Sequence, residues 1–410
     1  MLIPLFVFYN KTLVPLLPCF KFMEIFTSLT LFSFSILIFH YLLYPLMMAA
    51  GARWRQASHL AQGTAEPFVP AVSLIIAAYN EAEVIAAKVE NSLALDYPKS
   101  LLQIIVVTDG SSDETPILAR RYVNDGVVVL HEPERRGKSA AINRAMSVAT
   151  GEIVVFSDAN AFYQPEALLK LARHFQDGRT GGVSGQKTVR QSETAVSQSS
   201  GLYWKYESAI KKWESSVGST VAVVGEMMAL RRTLFTPIPA TVINDDAYLA
   251  TQILRQGYNV LYEPEAVCWE TASSSNADEL IRRRRISAGR YQLLFHPDWW
   301  PWRNPLALFQ LMSHKFLRLL LPFFMIGAFV TNLAAVRRRP AGWWMRLALL
   351  GQFLMYGLAG LGWLAEKFQR SARIPTAVYY IISGNFSSLQ GLWRLLAGKQ
   401  SVLWEKARRE

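Results

Sequence analysis

Four short apolar runs, each followed by a cluster of polar residues, limit this chain to few folds. Val72 to Ala78 ends at Tyr79-Asn80-Glu81, and Ile104 to Val107 ends at Thr108-Asp109-Gly110-Ser111-Ser112-Asp113. Val127 to Leu130 precedes Gly137-Lys138-Ser139, and Ile153 to Phe156 precedes Asp158-Ala159-Asn160. The intervening stretches, Ala82 to Ala94, Pro116 to Asn124 and Ser139 to Ala149, read as helices. Continuous apolar strands alternating with helices predict an α/β fold whose mostly parallel sheet is covered by helices on both faces. In such a sheet ligands bind beyond the carboxyl ends of the strands. Each of the polar clusters falls there.

Lipid-solvated segments flank this pattern. Ile25 to Ala50 contains no charged residue, and about 20 apolar residues suffice to cross a bilayer. Arg53 and Arg55 follow at once, which places the next segment in the cytoplasm by the positive-inside tendency. Residues 23–55 are thus expected to be an uncleaved anchor, since no cleavage-site pattern of small residues follows. Residues 1–22 hold Lys11, Pro15, Pro18 and Lys21 around a short apolar run. They read as an extra anchor, a leader-like segment, or an artefact of start-codon choice with Met23 as the start, the last being preferred. Residues 56–70 form a polar linker. Beyond the soluble region, residues 305–318 predict an interfacial amphipathic helix, introduced by Trp299, Trp300 and Trp302. Residues 319–397 predict a transmembrane region, with spans at Leu319–Val336 and Trp343–Ala365 and a weaker third segment at Thr376–Ala397. Residues 398–410 form a basic tail. Arg337, Arg338 and Arg339 then fall on the far side, against the positive-inside tendency.

Composition agrees with a membrane protein. Apolar residues make up 51% and charged residues 18%, where soluble domains carry about 25% charge. The net charge of +12 suits an anionic lipid surface. The basic residues cluster beside apolar spans rather than along one recognition helix, which counts against nucleic acid. Cys19 and Cys268 make neither a disulfide framework nor a zinc set, and the six histidines lack metal-ligand spacing. The few spans and large soluble domain count against a transporter or channel.

The polar clusters suggest a phosphate-handling site. Side chains two apart on a strand share a face, so Asp158 and Asn160 offer two hard oxygens to one point, suited to Mg2+ or Mn2+ on a diphosphate. Tyr79 offers a flat face to a base, and Asp109 an acceptor for a base N–H or ribose hydroxyl. Alone, a tyrosine after a strand is usually a packing residue and Asp-Gly-Ser a plain turn; three such clusters at successive strand ends are harder to dismiss. Gly137-Lys138-Ser139 resembles part of a P-loop, but the glycine four residues before Gly-Lys is missing, which excludes an ATPase. A lysine at a helix start still attracts phosphate. Asn244-Asp245-Asp246 precedes a helix ending at Gly257. Acidic residues there are commonly caps, but adjacent carboxylates raise each other's pKa, which suits Asp246 as a general base. Arg282 to Arg285 read as a membrane-surface patch from which one or two arginines turn inward to a leaving diphosphate.

Together these residues resemble the inverting, membrane-anchored family 2 glycosyltransferases of the Rossmann-like GT-A fold, the class that includes poly-N-acetylglucosamine, hyaluronan and cellulose synthases. The resemblance spans about Ala71 to Gln292, within an expected domain of residues 71–295. It implies donor contacts from Tyr79, Glu81, Asp109, Lys138 and Asp158, and a metal on Asp158 and Asn160, the counterpart of the family's Asp-x-Asp. Catalytic roles fall to Asp246 as base, to Asp245, and to Arg285, the arginine retained from the Gln-x-x-Arg-Trp motif. Val224-Gly225-Glu226 to Arg232 matches the acceptor-side segment. Asn160 in place of aspartate weakens the metal site, Asp245 replaces a glutamate, and Arg282 and Ile286 replace the glutamine and tryptophan, which puts processivity in doubt. The implied partners are a nucleotide-sugar, by default a UDP-sugar, a glycan or lipid-linked acceptor, and membrane lipid. The implied location is the inner (plasma) membrane, multi-pass, with the catalytic domain cytoplasmic. The rival reading is a catalytically silent, nucleotide-binding membrane scaffold of the same fold; joint retention of Asp109, Asp158, Asp246 and Arg285 counts against it.

Overall fold

The computed structural model describes residues 6–9, 12–58, 68–190, 195–271, 276–337, 342–368, 370 and 372–403. Most of the 56–70 linker, and the basic tail beyond Leu403, lie outside these. Within the N-terminal extension, Phe6–Tyr9 pairs antiparallel with Thr12–Pro15, and a helix begins at Leu16. The chain divides into two compact units. One is Pro45–Phe316 with Ser387–Glu410; the other is Met1–Tyr44 with Leu317–Phe386.

The first unit contains an eight-stranded sheet. Its strands are β1 (Val72–Ala78), β2 (Leu102–Asp109), β3 (Val128–Glu132), β4 (Ile153–Asp158), β5 (Phe162–Tyr163), β6 (Thr180–Arg190), β7 (Met228–Arg231) and β8 (Asn259–Thr271). They lie side by side as β3-β2-β1-β4-β7-β6-β8-β5. β1 runs parallel to β2 and β4, β2 to β3, and β6 to β8. β7 lies antiparallel between β4 and β6, and β5 antiparallel to β8. The expected parallel half is present, and the antiparallel β7 joins it to the second half. Every residue of β1 is buried, so water reaches neither face, and an uninterrupted apolar strand is stable only in such a place. Ala77 stands opposite Val107 on β2 and Asp158 on β4, which brings the ends of β1, β2 and β4 to one rim.

Helices of this unit include α1 (Ile85–Leu93), α2 (Thr115–Arg120), α3 (Lys138–Met146), α4 (Ala195–Val217), α5 (Asp245–Arg255) and α6 (Asn276–Leu294). The predicted helices are all found, but α1 starts three residues later than expected, α2 ends at Arg120 rather than Asn124, and α3 ends at Met146 rather than Ala149. Gly257, at φ +88°, closes α5 in the left-handed region that glycine enters without strain.

Among the described residues, three helices are long and apolar enough to cross a membrane: Glu24–Arg55, Pro305–Arg337 and Trp343–Lys367. In the second unit, Leu16–Ile38 runs along Leu317–Arg337, where Phe32 and Phe324 meet edge to face and the Thr30 and Thr331 hydroxyls share a 2.7 Å hydrogen bond. The interfacial helix expected at 305–318 and the span expected from 319 lie on one helical stretch. Pro305–Gln310 continues through a wider turn, Leu311–Phe316, into Leu317–Arg337, because nothing there forces a helix end. The weaker third segment is helical from Arg373 to Leu396 but is not among the helices apolar enough to cross.

Candidate active site

The loops after β1 and β2 are tied to each other. Asn80, the one described non-glycine residue with positive φ (53°), accepts a hydrogen bond from the Ser112 amide at 2.8 Å, and its own amide donates to Ser111 Oγ at 3.1 Å. Asparagine tolerates this region because its short side chain bonds locally. Glu81, also expected to contact the donor, is buried; its amide donates to Thr115 Oγ1 at 2.7 Å.

Asp109 organises the approach to α3. Its Oδ2 accepts the amides of Arg136 at 3.0 Å and Gly137 at 2.6 Å, and Arg144 stands 3.8 Å from Oδ1. Asp109 is buried, and Oδ1 has no hydrogen-bond partner among the described residues, so that oxygen is left for a donor group. Gly110 has φ +66°, and a Cβ there would come within 2.4 Å of Arg135. The Asp-Gly turn is therefore where the loop carrying Arg135 to Gly137 crosses. Arg135 lies 3.7 Å above the Tyr79 ring, which occupies one of the faces expected to receive a base.

Lys138 opens α3 and lies between two carboxylates. Its Nζ is 2.6 Å from Asp158 Oδ1 and 3.5 Å from Asp245 Oδ2. Burial opposes its charge, but Asp158 and Asp245 together raise its pKa, so it stays protonated at neutral pH. The sequence thus brings together three residues from α3, β4 and α5. Asn160, expected beside Asp158 as a ligand, gives its amide nitrogen to Glu270 Oε2 at 3.2 Å, which leaves its oxygen available.

Asp246 stands one residue further along α5. Burial first, then Asp245, pushes its carboxyl up to about 6, against the Ala247 amide, which donates to Oδ1 at 2.7 Å. Gly225 makes room for it: a Cβ at that glycine would lie 3.1 Å from Asp246 Cβ. The turn before α5 is held by α6. Arg285 donates to the Ile243 carbonyl at 3.1 Å, Asn244 to the Ile286 carbonyl at 2.9 Å, and Gln292 accepts the Ile243 amide at 3.0 Å. Arg285 is therefore found at the turn that carries the acidic pair.

These residues sit at the rim where the sheet's parallel strands end, with acids and a lysine around one point. The Glycosyl transferase family 2 model matches residues 73–236. The chain carries a family 2 glycosyltransferase domain. Poly-beta-1,6-N-acetyl-D-glucosamine synthases of Staphylococcus aureus (strain COL) and Staphylococcus epidermidis are each 25% identical to it, over 54% and 57% of this chain and 55% and 57% of theirs. The chain thus spans about half the length of the curated relatives it matches. A mannosyltransferase from Pyrobaculum calidifontis, solved with GDP-Man and Mn2+, aligns with a TM-score of 0.67 at 23% identity, covering 90% of this chain and 99% of that one. That likeness establishes the GT-A-like fold expected for a family 2 domain.

Sequence reasoning missed a second charged cluster beside these residues. Lys187 on β6 bonds Glu226 at 2.6 Å and Glu270, and Arg282 on α6 bonds Glu226 at 2.7 Å and Glu270 at 3.2 Å. Lys187 and Arg282 hold the Glu226 carboxyl below its usual range despite burial. A lysine buried in a strand calls for an acidic partner, but the strand that holds Lys187 is not evident from the sequence. Lys88 on α1 was missed too. It is fully buried, and burial lowers its pKa to about 7.

Proposed function

We propose that this domain transfers a sugar, with inversion, from a nucleotide-sugar to a hydroxyl of a glycan or lipid-linked acceptor at a membrane. A UDP-sugar is the default donor, and the glycan product named for the staphylococcal relatives favours a saccharide acceptor. The observation that carries the reading is the arrangement at one rim of a poised carboxyl, Asp246, beside a lysine shared by Asp158 and Asp245.

In the proposed reaction the acceptor hydroxyl gives its proton to Asp246 as its oxygen bonds the anomeric carbon. The bond from that carbon to the diphosphate oxygen breaks, and the nucleoside diphosphate leaves with the electron pair. Displacement from the opposite face converts an α-linked donor to a β-linked product. Asp246 suits the proton transfer because a base works best with a pKa near the working pH. Lys138 offers a permanent positive charge where the leaving diphosphate gathers negative charge. Arg285 braces the turn that carries Asp246 and adds positive charge to the same rim. Asp109 orders the segment that leads into Lys138 and keeps one oxygen for the nucleoside.

Mg2+ or Mn2+ fits the donor set. Among the described residues no three His, Cys, Asp or Glu side chains are grouped to cage an ion, but these ions are commonly held by one or two protein oxygens plus substrate phosphate. Asp158 and the free oxygen of Asn160 would supply the protein share. When bound, the ion would neutralise part of the diphosphate charge. Three apolar helices support a membrane location, which we assign to the inner membrane with the domain on the cytoplasmic side.

A donor screen on membranes containing the full chain tests this reading. Released UDP or GDP is measured with several nucleotide-sugars and a saccharide acceptor. Turnover of at least one donor is expected, and failure of every donor in protein that binds nucleotide would favour the silent scaffold.

A further inference from the structure

The backbone from Asp158 to Tyr163 is gripped by α1. Lys88 Nζ donates to the carbonyl oxygen of Ala161 and lies 4.2 Å from the centroid of the Tyr163 ring. One helical turn later, Asn91 bonds the Tyr163 backbone twice: Nδ2 donates to its carbonyl at 3.0 Å, and Oδ1 accepts its amide at 2.8 Å. Within the turn, the Ala161 amide donates to the Asp158 carbonyl at 3.1 Å. The Tyr163 hydroxyl donates to the carbonyls of Phe156 and Glu226, at 3.0 and 2.9 Å. Lys88 and Tyr163 are both fully buried.

An ammonium in such a place is costly, since it gives up water for one carbonyl and a ring face. A methionine would fill the space without that cost. The buried amine is spent on a specific object, the turn that carries Asp158 and Asn160. We propose that Lys88 is a positioning residue, which fixes the Asp158–Asn160 turn in the arrangement that receives the donor's diphosphate. The part concerning the diphosphate rests on the transferase reading above; the grip on the turn does not. Groups behind a ligand commonly set its affinity, and their loss costs about 10- to 100-fold in metal binding.

The test compares wild type with Lys88→Met and Lys88→Arg in the full chain. Hydrogen–deuterium exchange is read at the amides of residues 157–164, and UDP binding is titrated with Mn2+. Lys88→Met is expected to raise exchange at that turn while leaving α2 and α3 unchanged, and to raise the Mn2+ concentration for half-maximal UDP binding about tenfold. Lys88→Arg, which keeps an N–H donor, is expected to recover much of both. Should Lys88→Met not fold, Lys88→Gln gives the same reading. Wild-type exchange at 157–164 in the neutral variant would overturn the proposal, as would an unchanged Mn2+ titration. Wild type that binds no nucleotide would sink the transferase reading instead, and the exchange measurement would still decide the grip.

Discussion

At the scale of single residues, Asp246 accounts for most of what the site is expected to do. Its carboxyl ordinarily titrates near 4 and is held at about 6 by burial and Asp245. The folded state therefore binds this proton more tightly than the unfolded chain. Its contribution to stability is complete below about pH 4 and is lost as pH rises through about 6. Catalysis runs the other way, because the base must be free of its proton. We expect kcat/KM to rise about tenfold per unit below pH 6 and to level off above it. Asp246→Asn should keep UDP binding, lose at least about 100-fold in kcat, and melt higher than wild type at pH 7.5 but not at pH 4. Retained turnover in that variant would remove the base assignment. Gly225→Ala tests the same carboxyl from the side. Its Cβ would arrive 3.1 Å from Asp246 Cβ, so kcat should fall with little change in UDP affinity.

At the scale of elements, the turn before α5 depends on α6. Gly289 lets them meet: a Cβ there would lie 2.3 Å from Asn244 Cγ. Gly289→Ala is expected to destabilise by about 1–3 kcal/mol, the usual cost of overpacking, and to slow transfer by displacing Asp245 and Asp246. A thermal melt and a rate on one preparation check both; an unchanged rate in a destabilised protein would separate the turn from catalysis. Elements also explain what could be read in advance. β1, β2 and β4 were legible because burial on both faces leaves an unbroken apolar run with a polar stop. β6 and β8 were not, since buried polar residues such as Ser184, Lys187 and Glu270 interrupt their pattern and find partners only in the folded chain. Arg282 looked like a departure from a family motif, yet it pairs with Glu226 and Glu270. Such pairs join residues far apart in the chain, so spacing alone does not reveal them.

At the scale of the whole molecule, the chain leaves the unit that holds the sheet at Phe316 and re-enters it at Ser387. If that unit is cytoplasmic, a cysteine at exposed Asn124 should react with an impermeant maleimide in inside-out vesicles and stay unlabelled in intact cells. Labelling in intact cells would reverse the orientation. After Ser387 the chain comes close to the start of α3: a Cβ on Gly137 would lie 3.0 Å from Leu403 Cδ2. Leu403 thus braces the entry to α3, and Leu403→Ala is expected to show faster amide exchange at residues 138–142 than wild type, with exchange in β1 unchanged.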